Sequence, residues 1–331
     1  MTHRSGTTLD RMRRATVVAM MCCCLLIACS TDVRHPDVPM RVLVPNATGG
    51  GYDTTARVMA AAVDEEEIAE RPEVFNLEGG GGSAGLARIV HERGNDQLLL
   101  MMGLGVVGAV HSQDTTVRLD QATPIARLLT EPEVVVVHAK NGARSLDDLV
   151  QEWRDDPQQV VVGGGSSPGG PDHLAAYAIA EEVGIPVKEV QYEQYDGGGP
   201  LLAALLGGDI DVAVTGVLET ADQVRAGSVR TLALTSATSI PGMKAPTMRE
   251  LGYDVEFANW RGVMAPPGLP QAQRSRLIDL VREMRATSTW KAAARQHGWT
   301  DALLTGEEFG EFLEEEDQRV ATLLSELGSA R

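Results

Sequence analysis

Four times this chain runs from a short apolar or β-branched stretch into a cluster of glycines and out into an apolar or helical pattern. The clusters lie at residues 49–53, 79–85, 163–173 and 196–200. A strand that turns sharply into a helix is the unit from which α/β folds are built, so this feature narrows the fold class before any other. Helix N-termini expose N–H groups without intrahelical partners and carry a partial positive charge, which makes such turns natural anion cradles. Any one of them alone reads better as a tight turn in which glycine supplies a positive φ. Four in one chain suggest convergence on one anion.

The rest of the chain keeps the same alternation. Strand-like runs fall at residues 41–45, 74–77, 97–102, 134–138, 159–162, 210–214 and 230–235, separated by helical patterns. After Asp53, read as a helix N-cap, apolar residues recur at Ala56, Met59, Ala60 and Val63, which is helical spacing. Near the C-terminus Thr305-Gly306-Glu307-Glu308 has the form of a capping box. Phe309, Phe312, Leu313, Val320, Leu323, Leu324 and Leu327 follow on one stripe, which predicts a packing helix. Its acidic run at residues 314–317 reads as solvated surface. No internal repeat or long linker marks a domain boundary.

Several catalytic readings fail on the residues themselves. Residues 80–85 and 103–108 both match GxGxxG, but neither is followed by a helix and then a strand ending in an acid, as a dinucleotide site requires. Gly165-Ser166-Ser167-Pro168-Gly169 matches the GxSxG nucleophile elbow, yet the residue after the serine must donate its N–H to the oxyanion, and Pro168 has none. No Gly-Lys-Ser/Thr follows any glycine run, so no Walker loop is present. The histidines at 35, 91, 111, 138, 173 and 297 are scattered without HxxxH or HExxH spacing, so no metal or cofactor is expected. His173 is kept as a candidate because it falls in the first turn of a helix that Asp172 can cap.

The chain has 331 residues, 43% hydrophobic and 23% charged, enough for one large or two medium domains with real cores. Its net charge is −17 and no basic cluster follows residue 14, which argues against nucleic-acid binding. The first 29 residues read as an export signal. Arg4, Arg11, Arg13 and Arg14 precede an almost unbroken apolar run at residues 15–28, too short for a membrane span of about 20 residues. Leu26-Ile27-Ala28-Cys29 resembles a bacterial lipobox, so Cys29 is the expected lipidated first residue of a lipoprotein held at the membrane, periplasmic or cell-surface. All four cysteines lie in this segment, which excludes disulfides from the remainder; removing it leaves a net charge of about −20. Anchoring then depends on acyl chains, without help from basic residues.

Eight strings in order carry a resemblance: "VPNATGGGYDTTAR", "NLEGGGGSAGLA", "PIARLLTEPEVVVV", "GGGSSPGGPDHLA", "YEQYDGGGPLLAALLGGDIDVAVTG", "VRTLALTS", "APTMRELG" and "NWRGVMAPPGLP". Over residues 40–328 the chain is similar to the solute-binding receptors of the tripartite tricarboxylate transporter family. The resemblance implies a two-lobed α/β fold, the type II periplasmic-binding-protein fold, with a ligand cleft between lobes joined by two crossing strands. Lobe 1 would comprise residues 40–131 plus 237–328 and lobe 2 residues 132–236, with crossings near 130–137 and 230–235.

The function it implies is non-enzymatic: binding a small organic carboxylate and delivering it to the membrane permease subunits of the transporter. The implied ligand-binding residues are Gly50, Gly51, Tyr52, Asp53, Gly82, Ser83 and Ala84 from lobe 1, and Ser166, Ser167, His173, Tyr195, Gly197 and Gly198 from lobe 2. Glycines would act as backbone donors, Ser83, Ser166 and Ser167 as hydroxyl donors, and Asp53 as a cap or water-orienting group. Backbone N–H groups can hold a carboxylate without a buried lysine or arginine to desolvate, and none stands within the four loops. The sequence departs from the commoner family pattern at Ser83, where many members carry an asparagine-type residue, and at Asp196, where they carry a basic one. Two other readings remain open from sequence: a stand-alone ligand-sensing lipoprotein for a signalling partner, and a serine esterase.

Overall fold

The computed structural model describes residues 39–240 and 243–326. The export signal, the lipobox with Cys29, and Leu327 lie outside the described residues. The chain enters through β1 (Arg41–Val44), α1 (Gly51–Glu65), β2 (Glu73–Asn76), α2 (Ser83–His91), β3 (Leu98–Gly103) and α3 (Leu104–Ser112). β1 pairs in parallel with β2 on one side and β3 on the other. The helix at α1 forms for the reason its spacing predicts: Ala56, Met59, Ala60 and Val63 are all buried against the sheet. Burying such a side chain contributes about 1.5–3 kcal/mol for the larger ones.

The long strand β4 (Thr123–His138) then organises everything else. Next come α4 (Leu146–Asp155), β5 (Val161–Gly164), α5 (Pro171–Glu182), β6 (Gln191–Gln194), α6 (Gly198–Gly207), β7 (Val212–Gly216), α7 (Val217–Arg225) and β8 (Val229–Leu234). The return path is β9 (Ala258–Ala265), α8 (Gln271–Ala286), α9 (Ser288–His297), β10 (Thr300–Thr305) and α10 (Glu307–Glu326). The N-terminal part of β4 pairs antiparallel with β9 and β10. Its C-terminal part, from Glu133 on, pairs antiparallel with β7 and β8. One strand therefore belongs to two halves of the sheet, β2-β1-β3-β9 with β10 in the first and β7-β5-β6 with β8 in the second.

Where the chain leaves β8, buried Thr235 ties the halves together. Its N–H donates to the Glu133 carbonyl at 3.0 Å, its Oγ1 accepts from Glu133 N–H at 2.9 Å and donates to the Phe257 carbonyl at 2.8 Å. Each half has cores on both faces of its sheet. In the first, Met59, Leu99, Trp290 and Trp299 fill one side and Leu86, Leu104, Trp260 and Phe309 the other. In the second, Trp153, Val162, Ile179 and Val214 lie on one side and Leu201, Leu205, Ile210 and Val136 on the other. Residues between 243 and 257 pack with the second half, through Ala245, Met248 and Val255.

Four expectations shift. The run at 134–138 is only the end of a 16-residue strand, whose earlier part the prolines at 124 and 132 disguise. β6, β9 and β10 form where no strand was expected. Asp53 is not the N-cap of α1: Gly50 holds that position, and Asp53 reaches back from the first turn to accept the Gly49 N–H at 2.9 Å. The acidic run of α10 is only half solvated. Glu314 and Glu315 are exposed, while Glu316 accepts the Trp260 indole N–H at 2.9 Å and Asp317 meets His111 at 2.7 Å.

Candidate functional site

All four glycine clusters open onto one cavity of about 710 Å³. The N-termini of α1, α3, α5, α6 and α7 all reach it, through Gly51, Gly105, Pro171, Gly198 and Leu218. Convergent helix starts concentrate unpaired N–H groups and positive dipole ends at one point. The turn before α2 shows why glycine is required there. Residues 79, 80, 81 and 82 all have positive φ, from 55° to 140°, a run that side chains with a Cβ avoid. It also lets the halves meet: a Cβ added at Gly81 would lie 2.3 Å from Ser167 Oγ.

Of the residues expected from sequence, Gly50, Gly51 and Tyr52 line the cavity from the first half, and Ser166, Ser167, Tyr195, Gly197 and Gly198 from the second. Tyr52 is spent in part on structure, since its hydroxyl accepts the Gly105 N–H at 3.2 Å and burial pushes its pKa up to about 12. Gly82, Ser83 and Ala84 do not line it; the preceding Gly79, Gly80 and Gly81 do. Asp53 also turns away. Burial alone raises its pKa, but bonds from Arg57, Gly49 and Asn76 outweigh that and hold the carboxyl below its ordinary range.

His173 is likewise behind the wall. Its ring packs against Tyr177 and Tyr192, with centroids at 4.3 and 4.8 Å, and Nδ1 accepts the Gly169 N–H at 3.2 Å. Burial lowers its pKa to about 4, so the ring is neutral and structural. Asp172 also does not cap α5. Its carboxylate accepts the Gly165 N–H at 2.7 Å, while Ser166 Oγ accepts the Asp172 N–H at 3.1 Å.

Sequence reading missed the charged floor. Arg261, on β9, is 3% exposed, bonds Glu131 of β4 and donates to Thr55 Oγ1 at 3.1 Å. Its guanidinium lies directly behind the start of α1, where a Cβ on Gly51 would collide with it. Arg261 sits in the string "NWRGVMAPPGLP", but nothing in that string shows that the strand faces a cleft. Burial pushes Glu131 up in pKa, against the pull of Arg261. Within reach of that pair, Glu219 of α7 accepts the Thr215 hydroxyl at 2.5 Å. Burial first, and then the Asp172 carboxylate, push the Glu219 pKa up to about 7. Among the described residues no three His, Cys, Asp or Glu side chains are placed to share a metal ion. No described helix is long and apolar enough to cross a membrane.

Comparison with known proteins agrees with this architecture. The tripartite tricarboxylate transporter family receptor profile, TctC, matches residues 76–328. BugT of Bordetella pertussis is 26% identical over 307 residues, covering 89% of this chain and 91% of BugT. A UPF0065 protein of Agrobacterium vitis is 27% identical over 253 residues, 75% of this chain and 71% of that protein. Among solved structures, the periplasmic binding protein BugD aligns with TM-score 0.78 at 22% identity, over 89% of this chain and 99% of BugD. A Rhodopseudomonas palustris protein with adipate aligns with TM-score 0.80 at 22% identity, over 90% and 99% of the two chains. MatC from the same organism, with bound malate, aligns with TM-score 0.76 at 22% identity, over 87% and 99%. The fold is thus the two-lobed α/β fold of periplasmic binding proteins, and the chain belongs to the tripartite tricarboxylate transporter receptor family, whose members are solute-binding receptors rather than enzymes.

Proposed function

We propose that this chain is an exported receptor that closes two lobes on a small organic carboxylate and delivers it to the permease of a tripartite tricarboxylate transporter. The observation that carries this reading is the convergence of glycine turns and helix N-termini from both sheet halves on one cavity. A carboxylate there accepts several charge-assisted N–H bonds. The malate and adipate held by the two Rhodopseudomonas proteins support the ligand class. Lobe 1 is assigned to residues 40–131 plus 237–328 and lobe 2 to residues 132–236, with residues 243–257 strapped onto the second core. Cys29 is assigned as the lipid anchor.

Closure is a population shift, so a ligand favours the closed form only by touching both lobes. Ser167, opposite Gly81, stands where the lobes meet. The Ser167→Phe variant should fold yet show no ligand-induced rise in Tm across a thermal-shift screen of di- and tricarboxylates. Undiminished stabilisation would remove Ser167 from the site. For the anchor, Cys29→Ala should release the protein from the membrane fraction into the soluble one.

A further inference from the structure

The halves meet at a second place, outside the cavity. The turn at residues 168–170, which follows Ser166 and Ser167, lies against two helices of the first half. A Cβ on Gly169 would lie 2.8 Å from Leu324 Cδ1 and 3.3 Å from Val320 Cγ1, both on α10, and 2.9 Å from Gly108 Cα on α3. Its φ of 81° also reserves the position for glycine. A few residues on, Leu174 of α5 is 4% exposed and belongs to the first half's core, with Trp260, Phe309, Val320 and Leu324. Ala175, Ala176 and Ile179 of the same helix lie in the core of the second half. One side chain of α5 is therefore pegged into the opposite half. Neither that peg nor Gly108, Gly169, Val320 or Leu324 lines the cavity.

Each side of the contact is stiff. In the turn, Gly170 N–H donates to the Ser167 carbonyl at 2.7 Å, His173 Nδ1 accepts the Gly169 N–H at 3.2 Å, and Ser166 Oγ accepts the Asp172 N–H at 3.1 Å. A displacement of Gly169 is thereby passed to both serines. Facing it, α10 is fixed to its own half: Glu316 accepts the Trp260 indole N–H, and Asp317 pairs with His111 of α3. Val320 and Leu324, four residues apart, fall on one face of that helix and are fully buried. The contact is apolar and close-packed, so its attraction falls by about a quarter to a half over a gap of about 0.5–1 Å.

We propose that the turn at 168–170 and Leu174 form a clasp with Val320 and Leu324 of α10, which holds the two halves closed from outside the cavity and so positions Ser166 and Ser167 in it. The strength of the clasp sets the closed fraction, and a ligand's apparent affinity scales with that fraction. Leu174, Val320 and Leu324 are positioning residues: they touch no ligand and act through the turn. The inference goes beyond the receptor reading, because the clasp works whichever ligand the cavity holds. It also gives the neutral His173 ring a task, that of fixing the turn between the peg and the serines.

The test is small-angle scattering by the whole chain without ligand, beside a binding titration. Leu324→Ala and Leu174→Ala should each give a larger radius of gyration than the parent chain, and Leu324→Met should restore it. Met59→Ala, on the far face of the first half's sheet, should lower Tm and leave the radius unchanged. Because both single variants release one contact, the double variant should open no further than either alone. If Leu324→Ala does not fold, Leu324→Val makes the same comparison. A radius unchanged in both single variants, or changed equally by Met59→Ala, would overturn the clasp, and so would additive single effects. With succinate and adipate as probes, the one that binds the parent chain should bind Leu324→Ala about tenfold more weakly and Met59→Ala as tightly as before. Equal affinity for the parent chain and Leu324→Ala would overturn the positioning role. Failure of both probes to bind the parent chain would count against the carboxylate reading alone, since the scattering result stands without a ligand.

Discussion

The two halves of the cavity use one backbone device with different charged side chains behind it: an arginine–glutamate pair in the first and the lone carboxyl of Glu219 in the second. In the first, Asp53 in the first turn of α1 bonds back to the Gly49 N–H and to Arg57, and Arg261, paired with Glu131, stands behind Gly51. In the second, the starts of α5 and α7 carry Asp172 and Glu219, and the same Glu219 backs α6. Glycine turns therefore do not by themselves make an anion site. What lies one layer beneath them differs: the Arg261–Glu131 pair stands behind Gly51 and Glu219 behind Gly198.

The largest expected effect comes from breaking the Arg261–Glu131 pair. Arg261→Met leaves Glu131 buried at 1% exposure without its partner, and such uncompensated charges cost about 3–5 kcal/mol. Tm should fall on the order of 10 °C. The double variant Arg261→Met with Glu131→Gln should recover most of that loss, because no buried charge is then orphaned. A double variant as unstable as the single one would show that packing, not charge pairing, holds the floor. Next in size is the contact between halves at Gly108, where an added Cβ would lie 2.3 Å from the Gly169 carbonyl carbon. Gly108→Ala should cost about 1–3 kcal/mol by overpacking, measured by urea unfolding.

Much of the fold could be read because apolar spacing reports local structure directly. The α1 stripe buries the residues its spacing names, Met59 among them, and the terminal stripe of α10 buries Phe309, Leu313, Val320 and Leu324 and half-buries Phe312 and Leu323. The strands missed are those whose setting is non-local. β9 carries Asn259 and Arg261 inside "ANWRGVMA" because that strand crosses the cavity floor, and no short window reveals the crossing. The cavity glycines were visible as turn chemistry. The charged floor was not, because Glu131, Arg261 and Glu219 are far apart in sequence and meet only through the β4 pairing with β9 and β7. His173 misled for the same reason: its position in a first helical turn says nothing of the two tyrosines that enclose it.

A smaller effect probes Glu219 alone. Glu219 has a folded pKa raised above its unfolded value, so the protonated form is the one the fold prefers. Its contribution to stability is intact below an unfolded pKa of about 4.3 and is lost as pH rises through about 7. Glu219→Gln mimics the protonated state. It should leave Tm nearly unchanged at pH 4.5 and raise it at pH 8 by about 2–4 °C, the response to about 1 kcal/mol in a chain somewhat smaller than this. A rise of equal size at both pH values would trace the effect to packing instead of charge.

The smallest effect separates a structural acid from those of the cavity. Asp53 is nearly fully buried yet turned from the cavity, where it joins Gly49, Arg57 and Asn76. Its folded pKa is depressed, so its stabilisation is present above the unfolded value of about 3.9 and disappears as pH falls through the folded one. Asp53→Asn should therefore cost about 1 kcal/mol at pH 7, in line with the loss of a helix-start contact. The difference from the parent chain should shrink below about pH 4. Because the carboxyl does not line the cavity, the rise in Tm that a saturating ligand induces should be the same in both proteins. A variant that is stable at pH 7 but no longer responds to ligand would bring Asp53 into the ligand site beside Gly50 and Gly51, and would make the first helix start a direct binding element with its own carboxyl.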